Sequence, residues 1–192
     1  MEDFFQATPL ISQEEFDVIQ VSYNKADTLN PILEEKIRSM GDEMGHRSNV
    51  KADMTDFRLY EDPDFKKICD FAILQSINSI EGLSQRGAQI MRWSIIDCWG
   101  MVYKNQEGHH TVEHAHWPAT FSFVYYVNAC EKCSPLQFTR SNFKVKPRSG
   151  LMVLFPGNTS HNVPHQNCDH DRVAISGNIS ATINKEEQEH AS

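Results

Sequence analysis

No stretch of this 192-residue chain approaches the roughly 18 consecutive apolar residues that a membrane-crossing helix requires. Positive charge is also short. Lys and Arg number 18 against 26 Asp and Glu, a net charge of −8, and no basic patch is interleaved with aromatics. Phosphate-backbone binding depends on Lys and Arg displacing counterions, so the balance argues against a nucleic-acid partner. The first residues, MEDFFQATPL, lack the basic start and apolar segment of a secretory leader. Cysteines are few and odd in number, five, which suits reduced thiols and a cytoplasmic setting better than a disulfide framework. Internal repeats and low-complexity tracts are missing as well. What remains is an ordinary apolar content of 40%, enough at this length for one domain with a real core. Histidine is the plentiful residue: eight of the nine fall after residue 108.

The first third reads as helical. Ser12 to Glu15 fits a capping box, with Phe16 and Ile19 as the first apolar positions. Asn30-Pro31 reads as an N-cap followed by proline, and Leu33, Ile37, Met40 and Met44 continue on one face to Gly45. A polar loop over 46–61 follows. Asp62-Pro63 then opens a third helix, with Phe65, Ile68, Cys69, Ala72, Ile73, Ile77 and Ile80 on one side.

From Met91 the apolar period changes from 3.6 to 2. Met91 to Tyr103 predicts one or two half-buried strands, with Asp97 marking a bulge or bend. Further strands are predicted over 121–127, within 136–145, over 151–155 and over 172–183. Short strands punctuated by turns, with no helix between them, pair antiparallel in a sandwich or barrel. The expected organisation is a single domain: helical support over 1–88, a β core over 89–184 and a frayed tail over 185–192.

His114 and His116 are one residue apart, so an extended chain turns both rings to one side. His161 follows a buried strand and a glycine-containing turn, and offers a third ring. Three converging neutral imidazoles suit Fe, Zn, Cu or Ni.

The segments HAHWPATFSFVYYVN, VKPRSGLMVLFPGNTSH and DRVAISGN, in that order, resemble the Fe(II)/2-oxoglutarate-dependent oxygenases. The pattern W-x-x-x-Y, then H-x-H-x-P-x-x-x-S-x-V-Y-Y-V, is similar to a branch of that superfamily found in marine bacteria and their phages. The resemblance covers about Met91 to Ile179. It implies a mainly β fold with N-terminal helices and a double-stranded β-helix (jelly-roll, cupin-like) core. It also implies Fe(II) on His114, His116 and His161, with His116 standing where the family usually has Asp or Glu. Three neutral ligands leave both charges on the ion, which a chelating 2-oxoglutarate dianion would neutralise. Arg172 would then pair with the distal carboxylate of 2-oxoglutarate. Tyr126 or Tyr125 would touch the cosubstrate, and Ser176 is the nearest hydroxyl, because Ala174 occupies the position where relatives often carry Ser or Thr. Asn162 or Asn178 would orient a ligand. The implied reaction couples O₂-dependent decarboxylation of 2-oxoglutarate to hydroxylation of a small-molecule or peptidyl substrate.

Other readings stay open. The His-rich set also suits a cupin-like metalloenzyme that does not use 2-oxoglutarate, or a non-catalytic β-sandwich holding a structural metal. Cys130-x-x-Cys133, with Cys168 and His170, offers a second metal site, although 130–133 also reads as a plain hairpin turn. His109, His110, His165 and His170 read as loop residues. Arg172 has Asp169 and Asp171 nearby as ion-pair candidates. Segments 46–61 and 105–112 are expected to border the pocket mouth. Neither substrate nor oligomeric state is written in any motif.

Overall fold

The computed structural model describes residues 17–80, 91–105, 108–165 and 168–183. The capping box at Ser12–Glu15 and the tail from 185 lie outside the described residues. Among the described residues, eleven strands form two antiparallel sheets. The larger has the order β1-β9-β6-β11-β4-β3 and the smaller β2-β5-β10-β7-β8. Their long members are β4 (Met91–Tyr103), β5 (His110–His114), β6 (Phe121–Asn128), β9 (Leu151–Pro156) and β11 (Arg172–Ile183). Short strands complete the sheets: β1 (Ile19–Ser22), β2 (Val50–Lys51), β3 (Asp53–Met54), β7 (Leu136–Phe138), β8 (Phe143–Val145) and β10 (His161–Val163). Helices α1 (Ala26–Met40) and α2 (Pro63–Ser79) belong to the apolar cluster on the outer face of the larger sheet. No helix among the described residues is long and apolar enough to cross a membrane.

The period-two pattern sorts the side chains of the larger sheet into two cores. Cys98, Val102, Phe123, Tyr125, Val127, Met152, Leu154, Val173 and Ile175 meet Leu33 and Ile37 of α1 and Phe65 and Ile68 of α2. Their neighbours in sequence, Trp99, Met101, Tyr103, Tyr126, Leu151, Val153, Phe155 and Ala174, turn inward to the space between the sheets. With both faces covered, β9 is a nearly continuous apolar run, LMVLFP. One clash shows how closely α1 sits: a Cβ on Gly100 would stand 2.7 Å from Cγ1 of Ile37.

The predicted strands over 91–103, 121–127, 151–155 and 172–183 form. Asp97 does mark a bulge: the β4–β11 pairing shifts between Asn178 opposite Asp97 and Ile179 opposite Ile95, leaving Ile96 looped out and exposed. Asp62 caps α2 by accepting from the amide of Asp64 at 2.8 Å, with Pro63 behind it.

Three expectations fail. Ile19 belongs to a strand rather than a helix, because it pairs with Leu154 and extends the larger sheet. Asn30-Pro31 lies inside α1, not at its start. Asn30 is buried, donates to the Val127 carbonyl (2.7 Å) and accepts from the Tyr125 hydroxyl (2.6 Å), so its polar side chain ties helix to sheet instead of capping. The helix also ends at Met40, with Gly41 at φ 71°, before the expected Gly45.

Lys36 of α1 reaches across to Asp62 (2.7 Å) and Asp64 (2.8 Å) at the start of α2. Hydrogen bonds from Lys36 and Lys67 hold the Asp64 carboxyl down at about 2. A depressed acid stabilises the fold above its unfolded value near 3.8, and that contribution is lost as pH falls through the folded value. Lys36→Met is therefore expected to lower the urea midpoint at pH 6, and the gap to wild type should narrow between pH 4 and 2. A gap independent of pH would mean that these ion pairs do not join the helices.

Candidate metal centre

Cross-strand register brings two of the histidines together. His161 opens β10 directly opposite His114, the last residue of β5. His116 lies just beyond β5, in a turn rather than on the strand. Its amide donates to the Gly157 carbonyl at 2.6 Å, and its carbonyl accepts from Ala119 at 2.7 Å. The three rings converge, with centroids 4.5 Å (His114–His161), 4.7 Å (His114–His116) and 5.1 Å (His116–His161) apart. One ring nitrogen from each lies within 4.8 Å of the others.

The tautomers follow from the backbone. Nδ1 of His114 lies 2.8 Å from the Val112 carbonyl, and Nδ1 of His161 lies 2.9 Å from the Thr159 carbonyl. Each Nδ1 must carry the proton to donate there, which leaves Nε2 with its lone pair toward the cluster. Burial disfavours the cationic form of all three rings. It pushes His116 down to about 3, helped by its two neighbours, and His161 to about 4; His114 is lowered too. Three neutral donors facing one point fit a borderline divalent ion. Asn178 packs beside them, its amide nitrogen 3.4 Å from Nδ1 of His116 and its oxygen accepting from Ser122 at 2.7 Å. Asn162 has a buried oxygen without a hydrogen-bond partner among the described residues. Glu113 points away, as strand alternation requires, and accepts from Thr139 and Ser160 at 2.8 Å each.

From the triad a narrow cavity runs inward between the sheets. It is lined by Trp99, Tyr103, Tyr126, Phe155, Arg172 and Ser176, with Met101, Leu136, Val163 and Ala174 among its apolar walls. Arg172, the first residue of β11, is 1% exposed. Its Nη1 donates to the Ser134 carbonyl at 2.5 Å, and its guanidinium lies 3.9 Å from the centre of the Tyr103 ring. It forms no ion pair among the described residues, with neither Asp169 nor Asp171, the two candidates; Asp171 is paired instead with Arg38 at 2.8 Å. Nε of Arg172, the hydroxyl of Tyr126 and Nε1 of Trp99 are all buried without a hydrogen-bond partner among the described residues. Burial raises the Tyr126 phenol to about 12, so it remains a donor at neutral pH. Tyr125 faces the helices instead.

A shallower groove approaches the triad from outside, bordered by Ser48, Asn49, Val50, Phe57, Trp99 and Asn178. The first four come from the 46–61 segment expected at the pocket mouth. That segment is less irregular than its composition suggests, since it contains β2 and β3. Among the other histidines, His109 is buried and accepts from the Lys104 amide through Nδ1 (2.9 Å), while the His110 and His165 rings lie 4.5 Å apart. Trp99 reads in the sequence as core or pocket wall, and it lines the cavity; only the structure shows its indole nitrogen buried without a partner among the described residues. The alternation of Trp99 with Met101 and Tyr103 was the available signal.

No family model and no curated protein sequence matches the chain. Solved structures do. The viral collagen prolyl hydroxylase from Paramecium Bursaria Chlorella virus-1, in its 2OG complex, is similar with a TM-score of 0.65 at 14% identity, over 87% of this chain and 97% of that one. A Pseudomonas putida prolyl-4-hydroxylase gives 0.59 at 16% identity, over 88% and 96%. The non-heme alpha ketoglutarate dependent epimerase SnoN from nogalamycin biosynthesis gives 0.61 at 12%, over 91% and 83%. The chain thus shares the double-stranded β-helix of these enzymes.

Proposed function

We propose that this protein is an Fe(II)- and 2-oxoglutarate-dependent oxygenase whose metal is held by His114, His116 and His161. One observation carries the reading. A buried cation, Arg172, and two donors without a hydrogen-bond partner among the described residues, Tyr126 and Trp99, line the cavity that leads inward from the three neutral imidazoles. A buried charge without a counter-ion is costly, and an anionic ligand removes the cost. 2-Oxoglutarate has the matching shape: a keto acid for the metal at one end and a carboxylate for the arginine at the other.

When bound, the iron would supply activation of O₂ coupled to decarboxylation of the keto acid. The chain supplies the rest. His114 and His161, oriented by the Val112 and Thr159 carbonyls, and His116, fixed by Gly157, set the ligand geometry. Arg172, braced by Ser134 and Tyr103, takes the distal carboxylate through its planar fork. Tyr126 donates a further hydrogen bond, and Ser176 on the same wall offers another. Apolar walls of Met101, Leu136 and Val163 keep water from the carboxylate–guanidinium pair. A small-molecule or peptidyl substrate enters over the groove beside Trp99 and Asn178.

The test is anaerobic. Fe(II) followed by 2-oxoglutarate should produce the weak visible charge-transfer band of a chelated keto acid, and His161→Ala should abolish both metal binding and the band. Admission of O₂ should then yield succinate. Stoichiometric iron with no band would overturn the 2-oxoglutarate reading. It would favour the three-His metalloenzyme without that cosubstrate, which the all-imidazole ligand set also suits.

A further inference from the structure

Apart from the triad, the turn between β6 and β7 and the segment entering β11 bring together Cys130, Cys133, Cys168 and His170. All four present a ligand atom within 4.8 Å of one another. Sγ of Cys130 lies 3.9 Å from Sγ of Cys133 and 3.4 Å from Sγ of Cys168. The His170 ring reaches both remaining thiols, with Nε2 3.6 Å from Cys133 and Nδ1 3.1 Å from Cys168.

These separations are far above the S–S bond of about 2.05 Å. They match a different object. Ligands about 2.3 Å from a tetrahedral zinc stand roughly 3.8 Å apart, because a tetrahedron's edge is about 1.6 times its radius. The backbone already folds as a ligand turn. The Cys133 amide donates to the Cys130 carbonyl at 3.0 Å, and the Cys130 amide lies 3.5 Å from Sγ of Cys133, where it would stabilise a thiolate. Cys133 and Cys168 are buried, at 2% and 4% exposure. Four protein ligands and no open position make a structural site rather than a catalytic one.

We propose that Cys130, Cys133, Cys168 and His170 bind a structural Zn²⁺ that clamps the β6–β7 turn to the entry of β11. The clamp has a specific consequence for the cavity. Ser134 follows Cys133 directly, and Arg172 lies two residues beyond His170, so the metal fixes both ends of the bond from Arg172 Nη1 to the Ser134 carbonyl. The zinc assignment stands apart from the oxygenase reading; only its effect on cosubstrate binding rests on it.

The full chain, purified without chelators, should contain about one zinc beyond any metal on the triad. X-ray absorption at the zinc edge should show a predominantly sulfur shell near 2.3 Å. Zinc should persist in His161→Ala and disappear from Cys130→Ser and Cys168→Ser. If the serine variants do not fold, the wild-type absorption spectrum still decides between sulfur and nitrogen ligands. Removing zinc from wild type should speed hydrogen exchange in peptides covering 129–135 and 168–173, with β9 unchanged. Zinc absent from wild type, a Cys130–Cys168 disulfide in its place, or a zinc shell of nitrogen and oxygen lost with His161→Ala would each overturn the site. Unchanged exchange on zinc removal would overturn the clamp.

Discussion

Replacing Arg172 by Met is expected to weaken 2-oxoglutarate binding by roughly two orders of magnitude while leaving the apo fold about as stable as wild type. The two halves of this expectation have different origins. Hydrogen bonds to charged groups contribute about 1.5–3 kcal/mol each, so losing a two-pronged contact to the distal carboxylate removes about 3 kcal/mol or more, roughly a hundredfold in affinity. Folding responds otherwise. Met forfeits the bond to the Ser134 carbonyl and the stacking on Tyr103. It also removes a cation buried at 1% exposure that has no carboxylate partner among the described residues, and apolar replacement of buried charge is often neutral or favourable. Net change within about 1 kcal/mol is expected from denaturant midpoints. Titration of the Fe(II) form with 2-oxoglutarate supplies the affinity. Arg172→Lys should recover only part of it, because a point charge cannot make the forked contact. A variant that binds 2-oxoglutarate normally but unfolds easily would make Arg172 a structural residue and remove the main support for the proposed cosubstrate.

Gly157→Ala should damage both the fold and the proposed metal centre, although Gly157 has no side chain to offer either. A Cβ there would stand 2.2 Å from the Ala119 carbonyl oxygen and 2.8 Å from its carbon. Non-bonded carbon contacts settle at about 3.5–4.0 Å, and the obstacle is backbone, which has no rotamer to change. The turn between His116 and Ala119 must therefore move. That same turn carries His116, whose amide donates to the Gly157 carbonyl. Overpacking of this kind costs about 1–3 kcal/mol. Disturbing the support of a metal ligand typically costs about 10–100-fold in affinity. Gly100→Ala provides the control. Its added methyl would collide with the Ile37 side chain at 2.7 Å, on the helix side of β4. It should lower stability yet leave Fe(II) affinity alone. Equal loss of metal affinity in both variants would show that general destabilisation, not displacement of His116, is responsible.

Local signals in the chain were enough for several features. Asp62-Pro63 announces α2 because capping and a pre-set φ depend only on neighbours in sequence. The alternation of Trp99, Met101 and Tyr103 with Cys98, Gly100 and Val102 announces a strand, while which face meets the helices and which the cavity is decided by the fold. The spacing of His114 and His116, with His161 and Arg172 downstream, placed four residues that the structure brings to one cavity. The cap, the strand and the histidine pair follow from patterns of a few consecutive residues, whereas the roles of His161 and Arg172 came from the order of segments that resembles the oxygenases.

Tertiary structure decided the remainder, where a residue's role depends on something distant. Asn30 looks like a cap from its neighbours, yet Val127 and Tyr125, nearly a hundred positions away, claim its side chain. Ile19 to Ser22 is a strand only because β9 offers an edge, and the two-residue strands β2 and β3 are too short to display any period. His116 works from a turn, held by Gly157, rather than from the strand its spacing suggests. The sequence leaves His170 either a loop residue or part of a second site with the cysteines, and only the fold decides by setting it beside Cys133 and Cys168. Periodicity and capping are short-range and written along the chain; the convergence of side chains from different strands is long-range and appears only when the sheets have closed.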